Sequence, residues 1–325
     1  MTSARFPSGD SLSPSDISQL GRHGYVVGKK LANSWAPFLH DIVFRGLGLP
    51  WGQIRLESED MRAFIKLSHH PKFFEDQGAA ITMPNKVAIL PYLDEMTDEC
   101  RDTGACNTLY LRQDQDRRVL CGGNTDTIGI RDSFVRNIKP SERTFHNRPG
   151  LVIGGGGAAR SAVYALRKWM NVTTIYIVNR DKLEVNAFLE DCSSRGYGDS
   201  LLHVETVSQA LGLEAPGAII SCIPDLQPQT TAEIAVRNII EGFLSMETKG
   251  YILEMCYNPT PFTKLANIAK QKGWSLILGT EALIWQGLEQ DRLWTGRKID
   301  EELVQKVQAG ISQKVAERQA ERDEK

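Results

Sequence analysis

The sequence predicts an α/β protein of two domains, and three observations predict it. Strand-like apolar runs alternate with helix-like stretches through both halves of the chain. In the second half those runs are apolar at consecutive positions, as strands covered on both faces of a parallel sheet are. The 325 residues suffice for two domains of ordinary size, each closing its own core. The expected layout is a flexible polar leader over 1–20 and an α/β domain over 21–140, then a doubly wound domain over 141–285 and C-terminal helices over 286–325 that return to the first domain.

Within the first domain the alternation runs GYVVGKK, WAPFLHDIVFRGLGL, GQIRLES, DMRAFIKLS, GAAITMP, VAILPYLDEM, ACNTLYLR and RVLCGG. Lys86 stands at the seam between ITMP, a proline-ended strand, and VAILPYLDEM, an amphipathic run that reads as a helix. The positive end of a helix dipole mildly disfavours a cation. Lys86 is therefore costly there unless a carboxylate or a substrate oxygen meets it. The polar, proline- and glycine-containing SERTFHNRPG over 141–150 reads as the crossing between domains.

The second series is LVIGGGGAARSAVYALRKWM, TTIYIVNRD, LLHVETV, GAIISCIP, YILEMCY and SLILG, short apolar strands separated by helical stretches. The helix TEALIWQGLEQDRLWTG and a long polar helix from about Asp300 to Glu321 follow, and the charged tail ERQAERDEK is expected to fray.

Composition excludes several function classes. With 41% hydrophobic and 24% charged residues and a formal charge of -2, the chain reads as a globular protein with no electrostatic case for nucleic acid or an anionic membrane. No stretch approaches the ~18 apolar residues of a membrane span, and the first residues lack the apolar core of a secretory signal, so the expected location is cytoplasmic. The six cysteines form no CxxC pair and the six histidines no ligand set; His69 and His70 are adjacent and point apart on a helix. Neither a disulfide framework nor a structural metal is expected.

Gly154, Gly155, Gly156 and Gly157 stand where the strand LVI turns into a helix. Glycines there let the backbone turn sharply and approach a pyrophosphate, which helix N–H groups then hold. The next strand ends in Asn179, Arg180 and Asp181. An acid at that position accepts hydrogen bonds from an adenosine ribose, whereas a cation suits a 2′-phosphate, and Arg180 and Asp181 point opposite ways. NAD is favoured, NADP is the alternative, and Asp181 has a second reading as the N-cap of the helix beginning KLEV.

Four motifs in order, ITMPNK, GACNT, GGNTDTIG and GGGGAARS, resemble the signature motifs of the shikimate dehydrogenase family. The likeness runs from about Ala32 to Gly296. It implies hydride exchange at a ring carbon bearing a hydroxyl, with Lys86 and Asp126 as the catalytic pair. Such chemistry needs a proton acceptor near the oxygen while hydride leaves the same carbon. It further implies Ser34, Thr82, Asn107, Tyr257 and Gln286 as substrate-binding residues. Gly154 to Gly157, Ala158, Asn179, Arg180, Asp181, Pro224 and Gly279 would bind the cofactor. The implied partner is a small molecule, quinate or shikimate, with no protein partner.

Three departures qualify the likeness, one of them SCIP, Ser221 to Pro224, where the family's cofactor side carries NATP. Ser34, Trp35, Ala36 and Pro37 stand where the family carries SxSP, so the second hydroxyl of the carboxylate clamp is missing. Asn85 replaces the histidine before the lysine. TMPNK, NSWAPFLHD and NRD look most like the fungal quinate dehydrogenase branch, NAD-dependent and catabolic. Quinate has a tetrahedral C1 carrying a hydroxyl, for which Ala36 leaves room. The alternatives are an NADP-dependent shikimate dehydrogenase and a regulator that binds either acid without turning it over.

Overall fold

The computed structural model describes residues 20–68 and 78–323. The leader up to residue 19 and the pair His69 and His70 lie outside the described residues. The chain divides into two compact units, one of Met1–Cys100, Ala105–Thr125 and Gln286–Ala320, the other of Arg101–Gly104, Asp126–Trp285 and Glu321–Lys325. Residues 141–150 fall inside the second unit, and the chain passes between units at Thr125 and Asp126.

The first unit is built on a mixed sheet of β1 (Arg22–Gly28), β2 (Trp51–Glu57), β3 (Ala79–Ile81), β4 (Glu95–Met96), β5 (Thr108–Asp114) and β6 (Arg117–Gly123), in the order β2-β1-β3-β5-β6-β4. Strand β5 runs antiparallel to both neighbours and the other pairings are parallel. This topology gathers the C-terminal ends of β1, β2, β3 and β6 at one end of the sheet with the first residue of β5. Tyr25, Val27, Phe64, Ile81, Leu109 and Leu120 form a core that includes one face, while Val26, Phe44, Ala80 and Trp294 form a second cluster.

Helix Ala36–Gly46 buries Ala36, Leu39, His40, Val43 and Phe44, the three- and four-residue spacing of one apolar stripe. Pro37 lies in its first turn, where the missing N–H would have had no intrahelical partner. The run after Lys86, expected as a helix, is not one. Residues 83–89 form successive turns, followed by the single 3-10 turn Leu90–Tyr92 and the two-residue β4. Pro91 is the physical reason: it offers no N–H to the carbonyl four residues back, and its ring crowds that carbonyl.

The second unit is a six-stranded parallel sheet of β7 (Gly150–Ile153), β8 (Ile175–Val178), β9 (Leu201–His203), β10 (Ala218–Ser221), β11 (Tyr251–Glu254) and β12 (Ser275–Leu278). Its order, β12-β11-β10-β7-β8-β9, is that of the doubly wound dinucleotide-binding fold. The period-two pleat sends alternate residues to opposite faces. Val152, Ile175, Ile177, Ala218, Ile220 and Leu253 join a core with Ile130 and Phe134 of helix Asp126–Asn137. Leu151, Ile153, Tyr176, Val178, Ile219 and Ile252 join another with Ile239, Ile240 and Phe243 of helix Thr231–Ser245. Burial on both faces is why these strands read as unbroken apolar runs. Among the described residues no helix is long and apolar enough to cross a membrane.

Candidate active site

In the first unit, a buried hydrogen-bond cluster occupies the sheet end where β3, β5 and β6 meet. Asn107, immediately before β5, is 2% exposed. Its Nδ2 donates to Thr125 Oγ1 at 2.9 Å and to Gln286 Oε1 at 3.3 Å. Its Oδ1 accepts from Thr125 N at 2.8 Å and from Thr108 Oγ1 at 2.6 Å. Two donors and two acceptor positions are the whole capacity of an amide side chain. A substrate hydroxyl meeting Asn107 therefore has to displace one of these bonds, and the 3.3 Å contact to Gln286 is the longest.

Gln286 reaches this point because of helix periodicity. Gln286, Gln290 and Trp294 are four residues apart on helix Gly279–Thr295 and share one face. Each meets the start of β5. Gln290 Nε2 donates to Asn107 O at 3.2 Å and Thr108 Oγ1 at 3.0 Å, and Trp294 Nε1 donates to Leu109 O at 2.8 Å. Beside them the fully buried His40 Nδ1 and Asp291 Oδ1 lie 2.9 Å apart, tying this helix to Ala36–Gly46. Burial raises the Asp291 carboxyl above its ordinary range against the opposing pull of His40.

The same sheet end carries three further substrate-side candidates, Thr82, Lys86 and Ser34. Thr82 follows β3, donating its N–H to Val27 O at 2.9 Å and accepting from Asn85 N at 2.9 Å. Half-buried Lys86 lies in the turns beyond, and its carbonyl accepts from Cys106 N at 2.8 Å, which draws its peptide beside Asn107. Ser34 precedes helix Ala36–Gly46; its Oγ accepts weakly from Ala36 N at 3.4 Å, and its carbonyl accepts from Arg55 Nη2 at 2.8 Å. Asp126 is buried at the first position of helix Asp126–Asn137, directly after Thr125.

In the second unit the cofactor-side candidates lie at the C-terminal ends of the parallel strands. Strands β7 and β10 are neighbours whose next strands, β8 and β11, lie on opposite sides, so the crevice between them is the topological switch point where such folds bind ligands. The glycine turn sits there. Gly154 has φ +122°, a conformation that side chains rarely adopt, and a Cβ on Gly156 would meet nothing within 4 Å, which leaves its backbone open to close approach. Gly157 and Ala158 begin helix Gly157–Lys168. These residues fit a pyrophosphate at a helix N-terminus.

At the end of β8, Asp181 is the N-cap of helix Lys182–Ser194, its Oδ1 accepting from Leu183 N at 2.9 Å and Glu184 N at 3.1 Å. The capping reading thus accounts for the contacts that this carboxylate makes. Arg180 is ion-paired with Glu233, and Asn179 Nδ2 donates to Glu184 Oε2 at 2.7 Å. Exposed Pro224 follows β10 and half-buried Tyr257 follows β11. Gly279 has a packing reason of its own, since a Cβ there would lie 2.4 Å from Met255 O. Sequence reasoning missed Thr125, although it lies inside the GGNTDTIG turn, because its neighbour Asp126 took the chemical role. It also missed Gln290, one helical turn past Gln286.

A doubly wound domain with a glycine turn at its switch point, together with a domain bearing a buried amide cluster beside a lysine, defines a nucleotide-dependent oxidoreductase class. Residues 26–109 match the model of the shikimate dehydrogenase substrate binding domain, and 279–307 that of the shikimate 5'-dehydrogenase C-terminal domain. The quinate dehydrogenase of Emericella nidulans is 45% identical over 313 residues, covering 90% of this chain and 94% of that protein. The chain belongs to the shikimate dehydrogenase family.

Among solved structures, the dehydroquinate dehydratase and shikimate dehydrogenase from S. pombe AroM matches with a TM-score of 0.69 and 30% identity, covering 90% of this chain and 54% of that one. The quinate dehydrogenase from Corynebacterium glutamicum in complex with NAD has a TM-score of 0.69, covering 90% of this chain and 98% of that one; at 20% identity it speaks to the fold.

Proposed function

We propose that the protein oxidises quinate to 3-dehydroquinate with NAD, in the cytosol. The observation that carries this reading is the convergence of Asn107, Thr125, Gln286, Thr82 and the Lys86 turn at one end of the first sheet, in a chain 45% identical to a quinate dehydrogenase.

Thr82, Asn107 and Gln286 bind ring hydroxyls, Ser34 meets the carboxylate, and Tyr257 is a further substrate-binding residue. A bound nicotinamide ring supplies the hydride acceptor. Lys86 hydrogen-bonds the reacting hydroxyl and carries its proton away, and Asp126 supplies the carboxylate of the catalytic pair. Gly154 to Gly157 and Ala158 would hold the pyrophosphate, with Pro224 and Gly279 as further cofactor-binding residues.

NAD is favoured over NADP at the end of β8. Arg180, the cation that would welcome a 2′-phosphate, is already paired with Glu233, and Asp181 and Glu184 add two further carboxylates to that corner. A dianionic phosphate there meets like charge. Turnover of quinate and of shikimate, each with NAD and with NADP, followed at 340 nm, tests the whole reading. The expected result is the highest kcat/KM for quinate with NAD. Preference for shikimate with NADP contradicts it, and binding of either acid without turnover makes the protein a sensor.

A further inference from the structure

The first unit contains a further cation, Arg55, near the candidate substrate end and outside the family motifs. Trp51, Gln53, Arg55 and Glu57 alternate on one face of β2 and climb toward its C-terminal end. The last two clamp the loop that follows β1. Glu57 Oε1 accepts from Leu31 N at 2.8 Å, and Arg55 Nη2 donates to the Ser34 carbonyl at 2.8 Å. Two side chains of one strand thus fix both ends of the segment that presents Ser34.

We propose that Arg55 is the residue that makes this site selective for an acid. The inference rests on the functional reading above, in which Ser34 meets the substrate's carboxylate. Ala36 provides no hydroxyl beside Ser34, so serine alone is a weak reason for the site to prefer a carboxylate over a neutral group. A guanidinium is always charged, carries five donors in a rigid fork and matches carboxylate geometry. Anchored on the Ser34 carbonyl, Arg55 both sets the orientation of that residue and places a fixed positive charge beside it. Arg55 is therefore a positioning and specificity-determining residue, not a member of the hydride-transfer machinery.

The test compares quinate with its uncharged methyl ester in the full-length wild type, Arg55→Gln and Arg55→Lys. Glutamine keeps an N–H donor for the Ser34 carbonyl and loses the charge; lysine keeps the charge. Arg55→Gln is expected to raise KM for quinate by about 10- to 100-fold. Its kcat, and its KM for the ester, should stay within about threefold of wild type. Arg55→Lys should retain most of the acid-over-ester preference. A purely structural clamp would move acid and ester together, and that result overturns the inference, as would an unchanged KM for quinate in Arg55→Gln. Wild type that turns over quinate separates this failure from failure of the functional reading; wild type inactive on quinate overturns both. NAD affinity, which reports the other unit, shows that each variant is folded.

Discussion

Glu254 ends β11 with 2% exposure, and burial pushes its carboxyl up to about 8, while the hydrogen bond from Cys256 N at 3.1 Å opposes the rise. Its proton stays bound in the folded chain at pH values where the unfolded chain, near 4.5, has lost it. The sign follows: the contribution to stability is whole below about pH 4.5, declines by at most about 1.4 kcal/mol per pH unit, and is lost as pH passes through about 8. The melting temperature should therefore fall between pH 5 and pH 8, and Glu254→Gln should flatten that slope. A slope unchanged in the variant would show that Glu254 does not carry it. Asn107 presents the opposite case, a neutral side chain whose full bonding capacity is spent inside the protein. Its type was legible from GACNT, but its partners were not, because Thr125 and Gln286 reach it from 18 and 179 residues away in sequence.

Helix Gly279–Thr295 shows how one element converts spacing into a site. A four-residue repeat of Gln286, Gln290 and Trp294 stitches it along the start of β5, so that Gln286 meets Asn107 without a loop of its own. The glycine turn was readable because strand, glycines and helix are consecutive in the chain. The segment after Lys86 carries an amphipathic pattern that predicts a helix, and Pro91 within it prevents one. At the end of β8 the sequence left Asp181 between ribose ligand and helix cap, and the cap geometry decides its present bonds. Glu233, distant in sequence, gives that corner its charge by pairing with Arg180 while accepting from Gln229 N and Thr230 N. Glu233→Gln keeps a capping acceptor and releases Arg180. The expected outcome is a rise of about fivefold or more in the NADP-to-NAD ratio of kcat/KM, since an opposite charge near a phosphate is worth on the order of 1 kcal/mol near a surface. An unchanged ratio would remove this pair from cofactor choice.

Across the molecule, two sheets with different topologies divide the work. The parallel sheet, with strands apolar on both faces, was legible from its consecutive apolar runs, and its strand order creates the switch point that the glycine turn lines. The mixed sheet was legible as alternation, but not in its order, since the β5–β6 hairpin, though local, takes its place through the pairing of β5 with the distant β3, Ala79 opposite Leu109. That antiparallel strand is what brings Asn107 to the same end as Thr82 and Thr125. Arg55 stayed hidden for the same reason, because nothing local in GQIRLES points to Ser34. The functional account depends most on Lys86 as the group that handles the substrate's proton. The direct measurement is quinate turnover by Lys86→Met beside wild type, with NAD affinity checked in both. The account predicts a kcat lower by about 100- to 10,000-fold with NAD affinity unchanged; a kcat within tenfold of wild type would contradict it.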